Sequence, residues 1–279
     1  MRIVKLEAEI AVVVPSCDSY SDLWPPFFDL FARFWPDCPF PVYLISNRRG
    51  FSRAGVENLL VGDDVSWSDN LMRALSKVDA EYVLLLIDDL LLVKPVNTCE
   101  LLNVLDEFVK SGGNYLRLNP KPKPDRFWSK RLGIVSKGTI YRTATVSSVW
   151  KRQTLLELLV SGETAWDFEL LATVRSDVYD GFYATHVRYL SVVNAVIKGR
   201  WERSALSKLR RLSVQLKLGE RPVMTLLEAL CFQCCLLRSF GLSLFPARLR
   251  RRIKDLVPSV QYRDESSARL RPESTRMRG

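Results

Sequence analysis

Short apolar runs alternate with segments of helical periodicity over most of the chain. Ile10-Ala-Val-Val-Val14 is uniformly apolar, and a short run without alternation reads as a strand covered on both faces. Pro15-Ser-Cys-Asp18 ends it. Leu23, Phe27, Leu30, Phe31 and Phe34 then recur near helical spacing, with Ser21 or Asp22 as the opening cap. Strands are expected over Pro41–Asn47 and Asn58–Gly62, and a helix capped within Ser66–Asp69 runs through Leu71, Ala74, Leu75 and Val78. Tyr82-Val-Leu-Leu-Leu-Ile87 is the strongest strand pattern; Asp88-Asp89 closes it, and the apolar Leu90–Val93 follows. A helix over Cys99–Phe108 and a strand over Tyr115–Leu118 come next. This rhythm predicts an α/β fold with a mostly parallel sheet flanked by helices.

After an extended Pro120–Pro124 connector, Gly133–Ser148 reads as β material, and Thr154–Val160 and Trp166–Val174 as helices. Arg200–Leu218 is basic with a helical pattern, Thr225–Phe245 is long and apolar, and Gln261–Gly279 is polar with the composition of a disordered tail. No internal repeat is visible.

Charge divides the chain. The net charge is +10, yet Met1–Gly199 holds 23 basic and 24 acidic residues, whereas Arg200–Gly279 holds 18 and 7. The expected organisation is therefore a near-neutral domain over 1–198, a helical basic extension over 199–260 and a tail over 261–279. A basic C-terminus points to a polyanionic surface as partner. Within Leu226–Phe245, Glu228, Gln233 and Arg238 scatter around the wheel, and a spanning helix would have to bury a charge. An apolar helix followed by Arg248, Arg250, Arg251, Arg252 and Lys254 suits shallow insertion at an anionic inner leaflet; the alternative is a helix packed on the domain with a solvated basic edge. Six cysteines show no disulfide framework, and Cys231-x-x-Cys234 lacks a second pair, so it reads as small apolar residues in a helix. Met1–Val14 is too short and too acidic for a signal peptide, and a cytoplasmic site peripherally associated with the inner membrane is expected.

In open α/β sheets ligands bind beyond the carboxyl ends of strands. Asp88 and Asp89 stand at such an end, where paired carboxylates can hold Mg²⁺ or Mn²⁺ against phosphates or can form a turn or cap. Glu163, Asp167 and Glu169 form a second acidic group. On a helix Glu163 and Asp167 share a face, while Glu169 points elsewhere. One of these carboxylates could act as a general base or favour a helix N-terminus. Trp166 fits a sugar-stacking or a core role.

The order Ile10–Asp18, Val42–Asn47, Trp67–Val78, Tyr82–Asp89 resembles the nucleotide-binding half of a GT-A-type glycosyltransferase. Trp67-Ser-Asp-Asn70, Tyr82–Asp89, Trp150-Lys-Arg, Trp166-Asp-Phe-Glu169 and Lys198-Gly-Arg-Trp201 narrow this to a bacterial surface-polysaccharide group of capsule or O-antigen type, over roughly Val12–Leu218. The adjacent Asp88-Asp89 departs from the spaced Asp-x-Asp of that fold. The resemblance implies a nucleoside diphosphate sugar donor and a lipid-linked or surface-glycan acceptor. It implies diphosphate contacts from Asp88 and Asp89 through Mn²⁺ or Mg²⁺, with His186 as a third metal ligand, although a lone histidine also fits a structural place. It also implies base or ribose contacts from Ser16, Asp18 and Asn47, each of which also fits a turn. Asp69 would bind donor or cap its helix, and Asp167, with Glu169 behind it, would be the base of an inverting transfer.

Three other readings compete. A nucleic-acid-binding protein would explain the charge, but the basic segment is aliphatic rather than interleaved with aromatics, so no nucleic-acid partner is expected. A nucleotidyltransferase would carry a Gly-rich basic loop after the first strand, and Pro15–Asp18 has none. An inactive scaffold of the same fold is the third.

Overall fold

The apolar run beginning at Ile10 forms β1 (Ile10–Pro15), with every residue buried. The structure, a computed structural model, describes residue 6 and residues 8–243; Arg248–Lys254 and the 261–279 tail lie outside the described residues. The strands flanking β1 are β2 (Val42–Ser46), β3 (Val56–Leu60) and β4 (Tyr82–Leu85). Next come β6 (Tyr115–Arg117), β7 (Arg126–Phe127), β8 (Leu132–Ile134), β9 (Ser148–Lys151) and β10 (Phe182–Thr185). These make one nine-stranded sheet in the order β3-β2-β1-β4-β9-β6-β10-β8-β7. β3, β2, β1 and β4 are mutually parallel, as are β6 and β10, while β9 and β8 run against their neighbours. The expected mixed, mostly parallel α/β sheet is present.

Alternate residues of these strands feed two cores, which is why the strands read as continuous apolar runs. Val12, Val14, Leu44 and Leu84 pack with α1 (Trp24–Phe34). Ala11, Val13, Ile45, Val83 and Leu85 pack on the other face with α2 (Trp67–Leu75), α4 (Arg152–Leu158) and α5 (Ala165–Arg175). Helix α3 (Thr98–Lys110) buries Leu101, Val104, Leu105 and Phe108 in the α1 core.

Several boundaries differ from the sequence expectation. Leu23, not Ser21 or Asp22, stands at the α1 N-cap and makes no side-chain cap, and prolines fill the first turn, where a missing N–H costs nothing. Asp22 is committed to an ion pair instead. The strand expected over Tyr82–Ile87 stops at Leu85, and the Leu90 N–H donates to the Ile87 carbonyl at 3.0 Å, closing a turn around Asp88-Asp89. Leu90–Leu92 then forms β5, paired antiparallel with β11 (Val192–Asn194). Between β8 and β9 the chain is a loop held by buried Arg142, which donates to the Val135, Ser176 and Tyr179 carbonyls and lies 3.9 Å from the Phe182 ring centroid.

The 198/199 division expected from charge falls inside a hairpin. β12 (Val196–Ile197) and β13 (Arg200–Trp201) pair across Lys198 and Gly199, whose φ values of 52° and 72° match the two-residue turn that suits right-twisted strands. Trp201, with Leu206 and Leu209 of α6 (Arg203–Arg211), joins the same core as α1 and β4. α7 (Leu226–Ser243) follows, with Leu226, Leu227 and Leu230 exposed. Among the described residues no helix is long and apolar enough to cross a membrane.

Candidate functional site

The parallel half of the sheet sends the ends of β1, β2 and β4 and the start of α2 to one edge, which is where helix-covered sheets collect ligands. After β1, Ser16 donates through its hydroxyl to an Asp88 carboxylate oxygen and accepts from Trp24 Nε1 at 2.7 Å. Ser16 therefore orients Asp88. Asp18 accepts from the backbone N–H groups of Asn47, Arg48 and Arg49, each at 3.1 Å, so it builds the loop after β2. The Asn47 side-chain oxygen accepts from the Asp18 N–H at 3.1 Å, and its buried Nδ2 has no partner among the described residues. Asn70, in the first turn of α2, donates to Asp64 at 2.7 Å, and its buried Oδ1 has no partner among the described residues. Native proteins rarely leave such atoms unpaired, and a donor and an acceptor of this kind at one sheet edge are what a heteroaromatic base or ribose would satisfy.

Asp88 is buried and Asp89 half-buried within the turn that ends β4, and the Asp89 carbonyl accepts from the Ala195 N–H at 2.8 Å. Burial first, and then the neighbouring Asp89 charge, hold Asp88 well above the ordinary carboxylate range, with Ser16 offsetting part of the effect. Burial likewise raises Asp89. Two adjacent oxygen donors lacking full compensation fit a hard divalent cation that completes its shell with phosphate and water oxygens. Among the described residues no third His, Cys, Asp or Glu joins them. His186, the expected third ligand, follows β10, three strands from β4, or about 14 Å at the usual strand spacing. Its ring stacks on Phe127 at 5.9 Å, and its Nε2 donates to the Ser129 carbonyl at 3.1 Å.

One cation near this turn was missed. Arg221, from the basic extension, binds both Asp22 carboxylate oxygens at 2.7 and 2.8 Å, donates to the Ser19 carbonyl at 2.7 Å and lies 4.1 Å from the Tyr20 ring centroid. Its charge acts on Asp88 and Asp89, drawing both back toward the ionised form. The residues around Arg221 are held in place by β13, because the Trp201 N–H donates to the Pro222 carbonyl and the Met224 N–H to that of Trp201. Nothing in the local sequence links Arg221 with Asp22; only the fold does.

The second acidic group is ordered around α5. Thr164 and Asp167 form a reciprocal capping box: the Thr164 hydroxyl accepts from the Asp167 N–H, and one Asp167 oxygen accepts from the Thr164 N–H at 3.2 Å. The same oxygen accepts from the Thr164 hydroxyl at 2.7 Å, while Oδ1 of this exposed carboxylate makes no hydrogen bond among the described residues. Glu169 is half-buried and accepts from the Thr145 N–H and hydroxyl, both at 2.7 Å. Glu163 is buried against Arg175 in a two-point ion pair. Asp69 ties the start of α2 to the segment before α5, accepting from Ser161 at 2.8 Å and from the Gly162 N–H at 2.9 Å. Those bonds, led by the one from Ser66, hold it below the ordinary carboxylate range. This tie sets the N-terminus of α5 beside that of α2, on the ligand edge. Trp166 there is 77% exposed, which excludes the core role.

No family model and no curated protein matches the chain. Among solved structures it is similar to residues 1–349 of S. aureus TarS, at 13% identity and a TM-score of 0.44, over 65% of this chain and 59% of that one. It is also similar to the galactosyltransferase LgtC in complex with donor and acceptor sugar analogues, at 11% identity and a TM-score of 0.38, over 77% and 84% of the two chains. A third is glucosyl-3-phosphoglycerate synthase from Mycobacterium tuberculosis in complex with Mn²⁺ and UDP-glucose, at 14% identity and a TM-score of 0.38, over 80% and 84%.

Proposed function

We propose that this chain is a glycosyltransferase that moves a hexosyl unit from a nucleoside diphosphate sugar to a lipid-linked or surface-glycan acceptor of capsule or lipopolysaccharide type, with inversion. The observation that carries the reading is the carboxylate turn Asp88-Asp89 at the end of β4, on the same sheet edge as the unpaired Asn47 and Asn70 side-chain atoms. Asn47 and Asn70 take the nucleoside, with Asp18 holding the Asn47 loop and Ser16 holding Asp88. Asp89 and Asp88 are the residues that would hold Mn²⁺ or Mg²⁺, which when bound offsets charge on the departing diphosphate.

Asp167 takes the proton of the acceptor hydroxyl as that oxygen bonds to the anomeric carbon and the bond to the diphosphate breaks. Its unpaired oxygen at the start of α5 supports this role, and Glu169, with one oxygen taken by Thr145, stands second. Asp167→Asn is expected to lower kcat by about 10²-fold or more, the usual size of a general-base contribution. Thr164→Ala removes the cap but keeps the carboxylate, so it should cost about 1 kcal/mol of stability and leave kcat within a few-fold. Equal losses of kcat in both variants would make Asp167 a cap only. The overall reading is tested by hydrolysis and transfer with a panel of nucleotide sugars; no turnover and no binding of any member would overturn it.

The same reading sets the chain at the cytoplasmic face of a membrane. The exposed Leu226, Leu227 and Leu230 support it, as does the arginine cluster further along the sequence, each basic group contributing about 1 kcal/mol near an anionic surface. Replacing Arg250, Arg251 and Arg252 by serine should weaken co-sedimentation with anionic vesicles, and salt should weaken that of the unaltered chain. Equal sedimentation with neutral vesicles would contradict the assignment.

A further inference from the structure

At the far edge of the sheet, a cleft of about 280 Å³ opens between the loop leading into β7 and the residue that follows β10. Pro120, Lys123, Pro124, Arg126, Phe127 and His186 line it. Phe127 is 74% exposed although it lies in a strand, and the His186 ring backs it nearly parallel, at 12°. An exposed aromatic ring braced by a second, nearly parallel ring suits the C–H face of a sugar. Lys123 and Arg126 have no ion-pair partner among the described residues, whereas Arg131 nearby is paired with Glu100 and Glu107. The one acid on the cleft wall, Asp125, has an oxygen occupied by the Ser136 N–H at 2.8 Å and the Thr139 hydroxyl at 2.6 Å. The cleft thus presents one aromatic platform and two cations against a single carboxylate, an excess of positive charge.

We propose that this cleft binds an anionic sugar unit, its ring on Phe127 and its carboxylate or phosphate between Lys123 and Arg126. Resting on the transferase reading above, the bound unit is part of the acceptor glycan, distant from the reacting hydroxyl. β10 runs in the same direction as β4, so His186 and the Asp88 turn lie at the same end of the sheet. β7 stands five places from β4, roughly 24 Å at the usual strand spacing, beyond the reach of a donor sugar but within that of an extended glycan. A single platform closed in by two prolines fits one ring and one charge, rather than the successive stacked bases of a nucleic-acid strand.

His186 is the only histidine in the chain, so in untagged full-length protein its imidazole protons give an NMR reporter within the cleft. Titration with trigalacturonate and with mannose 6-phosphate is expected to move those signals, and whichever binds more tightly names the acidic group. Maltotriose, inorganic phosphate and oligothymidylate should each bind at least about tenfold more weakly, since the first lacks the charge, the second lacks the ring, and the third relies on successive stacked bases for which the cleft has one platform. Phe127→Ala and Arg126→Ala, both at exposed positions, should each weaken the acidic sugar by about tenfold. The proposal is overturned if neither acidic sugar moves the signals at millimolar concentration, or if maltotriose, phosphate or oligothymidylate binds as tightly as the better acidic sugar. An unchanged affinity in Phe127→Ala also overturns it. Nucleotide-sugar turnover without an acidic-sugar response defeats this inference alone; a response without turnover defeats the transferase reading and leaves the cleft as a binding site.

Discussion

Asp89→Ala is expected to lower turnover by at least about 10³-fold with the fold intact, because it removes a group proposed to face the leaving diphosphate. Circular dichroism and thermal unfolding check the fold, and single-turnover kinetics check the rate. Linkage supplies a second readout. A carboxylate whose folded pKa is raised stabilises the fold while protonated, and that contribution is lost as pH rises from the unfolded value near 4 through the folded one. Burial raises both Asp88 and Asp89 in this way. Without divalent ions, Asp88→Asn should therefore be at least as stable as the unaltered protein at pH 8, where the latter must carry the buried charge. Mn²⁺ should raise the Tm of the unaltered protein more at pH 8 than at pH 6, because the cation competes with protons, and should not raise that of Asp89→Ala. A near-normal rate in Asp89→Ala, or the same Mn²⁺ shift in both proteins, would remove these residues from the site.

Arg221→Ala is expected to destabilise the protein by about 3–5 kcal/mol, since it leaves the buried Asp22 carboxylate uncompensated. Arg221 and Asp22 are both buried, and the pair joins the residues after α6 to the turn following β1. Asp22→Asn combined with Arg221→Gln should recover much of that loss, because no unpaired charge remains. The double variant should nevertheless stay impaired in turnover, because the cation that offsets Asp88 and Asp89 is gone. Denaturant unfolding and kcat measured on the same three proteins separate the effects. If Arg221→Ala costs less than about 1 kcal/mol, the pair contributes no more than an ordinary surface bridge.

The strands and helices of the first half were legible in the sequence because sheets covered on both faces leave continuous apolar runs, as in Ile10–Val14 and Tyr82–Leu85. The carboxylate turn was legible for the same reason: charge ends such a run. Charge was a poorer guide to domain boundaries. The arginine-rich residues after 199 gave no sign that Trp201, Leu206 and Leu209 enter the main core, because burial depends on one helix face and not on net charge. Arg221 was hidden because its partner lies 199 residues away, and no local pattern records such a pair. His186, offered as a third ligand by the resemblance, follows β10 and so lies three strands from Asp88, a separation that no local pattern records. Of the polar residues expected to meet the nucleotide, Ser16, Asp18 and Asp69 have their oxygens committed to protein partners, and Asn47 keeps a free donor.

The central claim is that the end of β4 is where a nucleoside diphosphate binds. Calorimetric titration of uridine, guanosine, adenosine and cytidine diphosphates, with and without Mn²⁺, into the unaltered protein and Asp89→Ala tests it most directly. The account predicts that at least one diphosphate binds the unaltered protein, more tightly with Mn²⁺, and that Asp89→Ala loses about tenfold or more of that affinity. Binding of equal strength in both proteins, or no binding of any diphosphate to the unaltered one, would contradict it.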